Sequence, residues 1–337
     1  MSIELKLSRS SRIYCPNEFL EGKIILKLNS SISHQGVRIT ANGTVNLQVR
    51  GGSAGVIESF YGVIKPVHIM NKSVEVKPSG KLSSGTTEIS LVSISDNSNS
   101  FQIPFSMVLK EKGKDDFERF YETYHGANIS IQYLITADIT RGYLHKSLSA
   151  TMEFIIESEK DSLYKRPMSP EMVSFYITQD TQRHPLLPEL LSGRFRVTGK
   201  IPTQCSLSDP LTGELTVEAS AVPIRSIDIH VLRMESILVG EKYVTETSVI
   251  QTTQVADGDG EFLFRYFCFA IYELCFVIHT WLSVPVSLQL PFSIEFQVSI
   301  VITFQSELSK LQPKADPRTP RLWLALETLP LRLFRAE

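Results

Sequence analysis

The chain has 337 residues, 42% hydrophobic and 21% charged, enough for one large or two ordinary domains with packed cores, and this excludes wholesale disorder. A formal net charge of −2 leaves no strong cationic field, which argues against nucleic acid as a partner. The cysteines Cys15, Cys205, Cys268 and Cys275 are too scattered for a disulfide framework and form no C-x-x-C pair, so a reducing compartment is expected.

The opening "MSIELKLSRSS" alternates Ile3, Leu5 and Leu7 with Glu4 and Lys6 and lacks the hydrophobic run of a secretion signal. The sequons at Asn29, Asn42, Asn71 and Asn128 are therefore expected to stay unmodified. "NEFLEGKIILKL" sets Ile24, Leu26 and Leu28 against Lys23 and Lys27, and Val37, Ile39 and Ala41 continue the period of two. Ile129, Ile131, Tyr133 and Ile135 follow, then Phe154 and Ile156. Such alternation predicts strands with one wet face, separated by Gly, Asn, Ser and Pro clusters. The predicted class is all-β, with stacked antiparallel sheets. Residues 159–190 are polar and proline-bearing around "VSFYIT", and read as a linker carrying one short strand.

After that linker the text repeats itself. "GRFRVTGKI" echoes "IELKLSRSS", and "LTGELTVEA" echoes "LEGKIILKL". Fifteen residues after Gly22 comes "VRITANG"; fourteen after Gly213 comes "IDIHVLR". "NISIQYLITADI" matches "FSIEFQVSIVITF", and each half closes on one more apolar strand, "ATMEFIIES" and "ETLPLRLF". One coincidence of alternation carries little, but a series in the same order predicts two tandem immunoglobulin-like β-sandwiches, 1–158 and 191–337.

These stretches resemble the arrestin fold. "HQGVRITANGTVNLQV", "ETYHGANISIQYLI", "DPLTGELTVEASAVPIRSIDIHVLRMES" and "IQTTQVADGD" resemble, more narrowly, the vacuolar protein sorting-associated protein 26 family and its retriever branch. The resemblance covers roughly residues 1–259 and resumes at about 291. It implies a non-enzymatic arrestin-like subunit without catalytic residues, metal or cofactor. It implies docking on an α-solenoid scaffold that also holds a metallophosphatase-like subunit, and work with sorting nexin cargo adaptors. It implies a cytoplasmic protein, peripheral on endosomes, that meets membrane through its complex. The family's scaffold contact falls on Val255, Ala256, Asp257 and Gly258. On the residues alone the Asp-Gly step reads as a hairpin turn, and a turn on a rigid sandwich can also carry a contact.

Residues 260–290 depart from the family. From Leu263 to Leu282 most residues are apolar or aromatic, broken by Arg265, Glu273 and His279. Three readings stand: a membrane-spanning helix, a buried helix or strand pair replacing family strands, or a splice or gene-model product that compromises the second sandwich. The third is favoured, with the second as its structural appearance. Docking is then expected to weaken, because the altered text begins beside the candidate contact.

Other motifs are weak. "GGSAG" matches G-x-S-x-G around Ser53, but a nucleophile elbow needs a strand-to-helix turn on a parallel sheet, and a Gly/Ser hairpin tip explains it. The seven histidines are isolated, without metal-ligand spacing. No P-P-x-Y step supports an α-arrestin-like recruiter of ubiquitin ligases.

Overall fold

The computed structural model describes residues 2–27, 30–49, 65–82, 100–109, 121–142, 146–157, 171–206, 209–257, 265–271, 291–311 and 319–334; for 100, 256, 257, 265–271, 310, 311 and 334 it describes backbone alone. The chain divides into two compact units at about residue 160.

Unit one contains β1 (Ser2–Leu7), β2 (Ile13–Tyr14), β3 (Phe19–Lys27), β4 (Ile32–Leu47), β5 (Val67–Leu82), β6 (Ser100–Val108), β7 (Tyr124–His125), β8 (Ile129–Thr140) and β9 (Leu148–Ile156). One sheet runs β1-β3-β6; the other runs β2-β9-β8-β4-β5, with β7 against β8. Unit two contains β10 (Met172–Thr178), β11 (Phe195–Pro202), β12 (Gln204–Ser206), β13 (Leu211–Ser220), β14 (Ile224–Val239), β15 (Lys242–Asp257), β16 (Arg265–Ile271), β17 (Phe292–Phe304) and β18 (Leu324–Phe334). Its sheets run β10-β11-β13-β16 and β12-β18-β17-β14-β15. Among the described residues there are two short α-helices, α1 (Pro188–Ser192) and α2 (Glu307–Leu311).

The echo in the sequence is therefore one topology used twice. β1-β3-β6 corresponds to β11-β13-β16, and β2-β9-β8-β4-β5 to β12-β18-β17-β14-β15. Even the odd connection repeats, since β2–β9 and β12–β18 are both parallel in sheets whose other pairs are antiparallel.

The predicted alternation gives each unit its core. Val37, Ile39, Ala41 and Val45 of β4 are fully buried, as are Ile131, Tyr133 and Ile135 of β8, and Leu20, Ile24 and Leu26 of β3 belong to the same core. Ile227, Ile229, Val231, Ile300 and Ile302 do the same in unit two. Each such aliphatic side chain contributes about 1.5–3 kcal/mol through removal from water. The Tyr133 hydroxyl donates to the Tyr121 carbonyl at 2.7 Å and accepts from the Tyr121 amide at 3.2 Å. Burial pushes that phenol well above its ordinary pKa, so it stays protonated and keeps donating.

Glycine marks close approaches of strands. Gly22 pairs with Phe105, and a Cβ there would lie 2.7 Å from the Phe105 ring and 2.5 Å from the Lys6 carbonyl oxygen. Gly43 pairs with Tyr133, and its Cβ would lie 2.6 Å from that ring. In both pairs the ring occupies the space a side chain would need.

Part of the atypical segment is a strand. β16 pairs antiparallel with β13 and sets Phe267 opposite Leu215, Phe269 opposite Gly213 and Ile271 opposite Leu211. The membrane-helix reading is thereby corrected over 265–271, because those backbone groups are spent on a ladder with β13. No helix among the described residues is long and apolar enough to cross a membrane. Residues 258–264 and 272–290 lie outside the described residues.

The text read as a linker also builds structure from residue 171 onward. β10 is the outermost strand beside β11, and Leu186, Leu187 and Leu190, which follow it in the chain, are buried.

Candidate functional site

The candidate contact sits at the end of β15, an outer strand of the larger sheet of unit two. β14 and β15 form a long antiparallel hairpin. It turns at Gly240, whose φ of +64° is the left-handed conformation that favours glycine.

The register slips twice. Val231 pairs with Gln251 and Leu232 with Val249, so Ile250 has no opposite number; Ile227 pairs with Ala256 and Asp228 with Gln254, so Val255 has none. Each slip is a β-bulge, which bends its strand and re-aims the extra side chain. Val255 is therefore the bulged residue of this strand end, and it is half-buried. Ala256 and Asp257 pair with Ile227 and Ser226 through the backbone, and Gly258 lies outside the described residues.

The platform beneath is buried and hydrogen-bonded. Ile227 and Ile229 are fully buried, and the Ser226 hydroxyl donates to the Asp228 carboxylate at 2.8 Å. Arg225 donates from Nη1 to the Ser309 carbonyl of α2 at 3.1 Å. That helix is itself tied by the Ser306 and Ser309 amides, each donating to the other's hydroxyl at 3.2 and 3.0 Å. A bulged side chain on a fixed sheet end can recognise a surface; it brings no nucleophile, base or metal ligand together.

The other candidates do not converge either. Ser53 lies outside the described residues. His125 meets Glu153 at 3.0 Å, His184 meets the Arg321 and Leu324 carbonyls, and His230 meets the Thr252 hydroxyl at 2.9 Å. No group of three His, Cys, Asp or Glu residues suited to a metal occurs among the described residues. Cys205 is buried, and burial pushes its thiol up to about 11, away from the thiolate a nucleophile requires.

One arrangement had no obvious signal in the sequence. The outer side of β18 is closed by β12 at its end and by side chains before it. The Gln182 amide accepts from the Leu326 amide at 2.7 Å and donates to the Leu326 carbonyl at 3.1 Å, standing in for a neighbouring strand. His184 Nε2 meets the Leu324 carbonyl at 2.8 Å, and the Thr328 amide bonds the Glu327 carboxylate. Pro330 has no amide hydrogen to offer, and the Arg332 amide donates to the Thr203 carbonyl at 2.7 Å. Glutamine and histidine in proline-bearing text carry no period that announces this seal.

The sequence profile of the vacuolar protein sorting-associated protein 26 family matches residues 4–307. The chain is 29% identical over 308 residues to "Vacuolar protein sorting-associated protein 26C" of Dictyostelium discoideum, covering 90% of this chain and 94% of that one. It is 20% identical over 303 residues to "Vacuolar protein sorting-associated protein 26" of Plasmodium falciparum (isolate 3D7), covering 88% and 82% of the two chains. With its duplicated arrestin-like sandwich and a profile match through both units, the chain belongs to the vacuolar protein sorting-associated protein 26 family of trafficking proteins.

Proposed function

We propose that this protein is a non-enzymatic, arrestin-like subunit of an endosomal cargo-recycling complex of the retriever type. Its second sandwich docks on an α-solenoid scaffold through Val255, Ala256, Asp257 and Gly258. The scaffold also holds a metallophosphatase-like subunit, and sorting nexin adaptors bring cargo. The protein meets endosomal membrane through that complex.

The observation that carries this reading is the family match through both units, joined to a bulge at Val255 on a braced sheet end. The similarity to a type C relative over nearly its whole length supports the retriever branch. A half-buried valine re-aimed by a bulge suits an apolar anchor in a helical groove, since a few well-packed side chains carry most interface energy.

The test is co-expression with the solenoid subunit, read by size-exclusion chromatography with light scattering. Two versions are compared: the native chain, and one carrying the Dictyostelium relative's residues in place of 260–290. The second version is expected to form a one-to-one complex, and the native chain a weaker one. Val255→Asp abolishes the complex, because it buries an unpaired charge at a cost of several kcal/mol. Failure of both versions overturns the docking assignment.

A further inference from the structure

The sheet end that carries the candidate contact also carries a long connection. Leu324, Thr303, Ser226 and Asp257 stand in one row across β18, β17, β14 and β15. The β17–β18 connection, 305–323, therefore leaves and re-enters the larger sheet of unit two at the end where β15 runs out. Its counterpart in unit one, between β8 and β9, takes only 141–147.

Both ends of this connection are tied down. At its start the Gln305 amide donates to the Pro223 carbonyl at 2.8 Å, and the Ser309 carbonyl of α2 accepts from Arg225. At its end the Leu324 amide donates to the Arg321 carbonyl at 3.0 Å, and the Phe304 amide donates to the Trp323 carbonyl at 2.9 Å. Held in this way, the connection presents Leu308 at 45% and Leu322 at 39% exposure. In each case the next residue, Ser309 or Trp323, takes the buried position and leaves the leucine outside.

We propose that Leu308 and Leu322 extend the Val255 contact into one apolar row across this sheet end, and that the occupant is a single amphipathic helix of the solenoid scaffold, lying across the strand ends. The inference rests on the docking reading above. β18, at the Leu322 side, is three interstrand spacings from β15, which carries Val255, or about 14 Å. On a helix, apolar side chains at i, i+4 and i+8 share one face over about 12 Å of rise, which matches that span. The row runs across the strands instead of along an edge. It therefore offers side chains and no backbone ladder, which suits a helix and not an added strand. A leucine at each of two fixed points beside a half-buried valine gives the few apolar anchors on which an interface of this kind depends.

The test measures affinity of the full native chain for the solenoid subunit by biolayer interferometry, with the version carrying the relative's 260–290 in parallel. The double variant Leu308→Asp with Leu322→Asp changes exposed side chains and is expected to weaken the complex at least about tenfold, or 1.4 kcal/mol, with the thermal midpoint of the free protein unchanged. In the unsubstituted complex, hydrogen exchange is expected to slow at 307–311 and 321–324. A benzophenone cross-linker placed at 308, and in turn at 322, is expected to label one and the same scaffold helix. If the double variant binds as well as the native chain while Val255→Asp abolishes binding, this inference is overturned and the docking reading stands. Labels on different scaffold helices, or exchange unchanged at 307–311, overturn it in the same way. No complex in either version overturns the docking reading and this inference with it. Sedimentation of the protein alone covers the other occupant: a dimer that the double variant dissolves assigns this row to a second copy and also overturns the inference.

Discussion

The two sandwiches share a topology and differ in how their smaller sheet is completed. In unit one the third strand is β6, and Phe105 covers Gly22. In unit two the third strand is β16, drawn from the apolar stretch after β15, and Phe269 stands opposite Gly213. Gly22 and Gly213 are the glycines that the sequence repeats, and each faces a phenylalanine on the third strand. A glycine on a half-buried strand leaves a gap that a cross-strand ring can fill. The place beside β13 is filled through the backbone by "RYFCFAI".

Cutting the ring in each unit tests whether the two third strands are equivalent. Phe105→Ala is expected to cost about 3–5 kcal/mol, seen as a lower urea midpoint of unit one. Phe269→Ala is expected to cost unit two an amount of the same order; no loss there breaks the equivalence. Filling the gap from the other side is the converse. Gly22→Val drives a side chain into the Phe105 ring and the Lys6 carbonyl, for a loss of about 1–3 kcal/mol or more on thermal unfolding.

Smaller effects separate the units by what each alone possesses. Gln182→Ala strips both bonds from Leu326 and is expected to destabilise unit two by about 1–3 kcal/mol, with faster hydrogen exchange at 324–328 and none at β8. Unit one carries a pH signature at His34, which is 5% exposed and has no hydrogen-bond partner at either ring nitrogen among the described residues. Burial, and then the nearby Lys77 charge, holds His34 below its ordinary 6.5. The unfolded chain therefore takes up that proton first. The stability is fully present above about pH 6.5 and falls as pH drops below it. His34→Gln is expected to flatten that part of the pH–stability curve for unit one, read by denaturant midpoints.

Much of this was legible in the sequence. Period-two alternation located β1, β3, β4 and β8, because a strand with one wet face writes its burial into its text. The repeat order gave the duplication, since β1, β3, β4, β8 and β9 have their echoes in β11, β13, β14, β17 and β18. "VSFYIT" was read as a strand, and it is β10. The edges were harder. Bulges at Ile250 and Val255 arise from register between two strands, and no single strand's pattern records a slip against its neighbour. The Gln182 and His184 seal spans 144 and 140 residues of chain, far beyond any local signal. The atypical segment read as excess hydrophobicity because its pairing partner, β13, lies some fifty residues upstream.

The most direct test of the account is hydrogen exchange of the full native chain, comparing amides of 265–271 with those of β6. The account predicts slow exchange at both, rising together with denaturant as each sandwich opens as a unit. Exchange at 265–271 at the rate of an unstructured peptide, beside a protected β6, would contradict the claim that this segment completes the second sandwich.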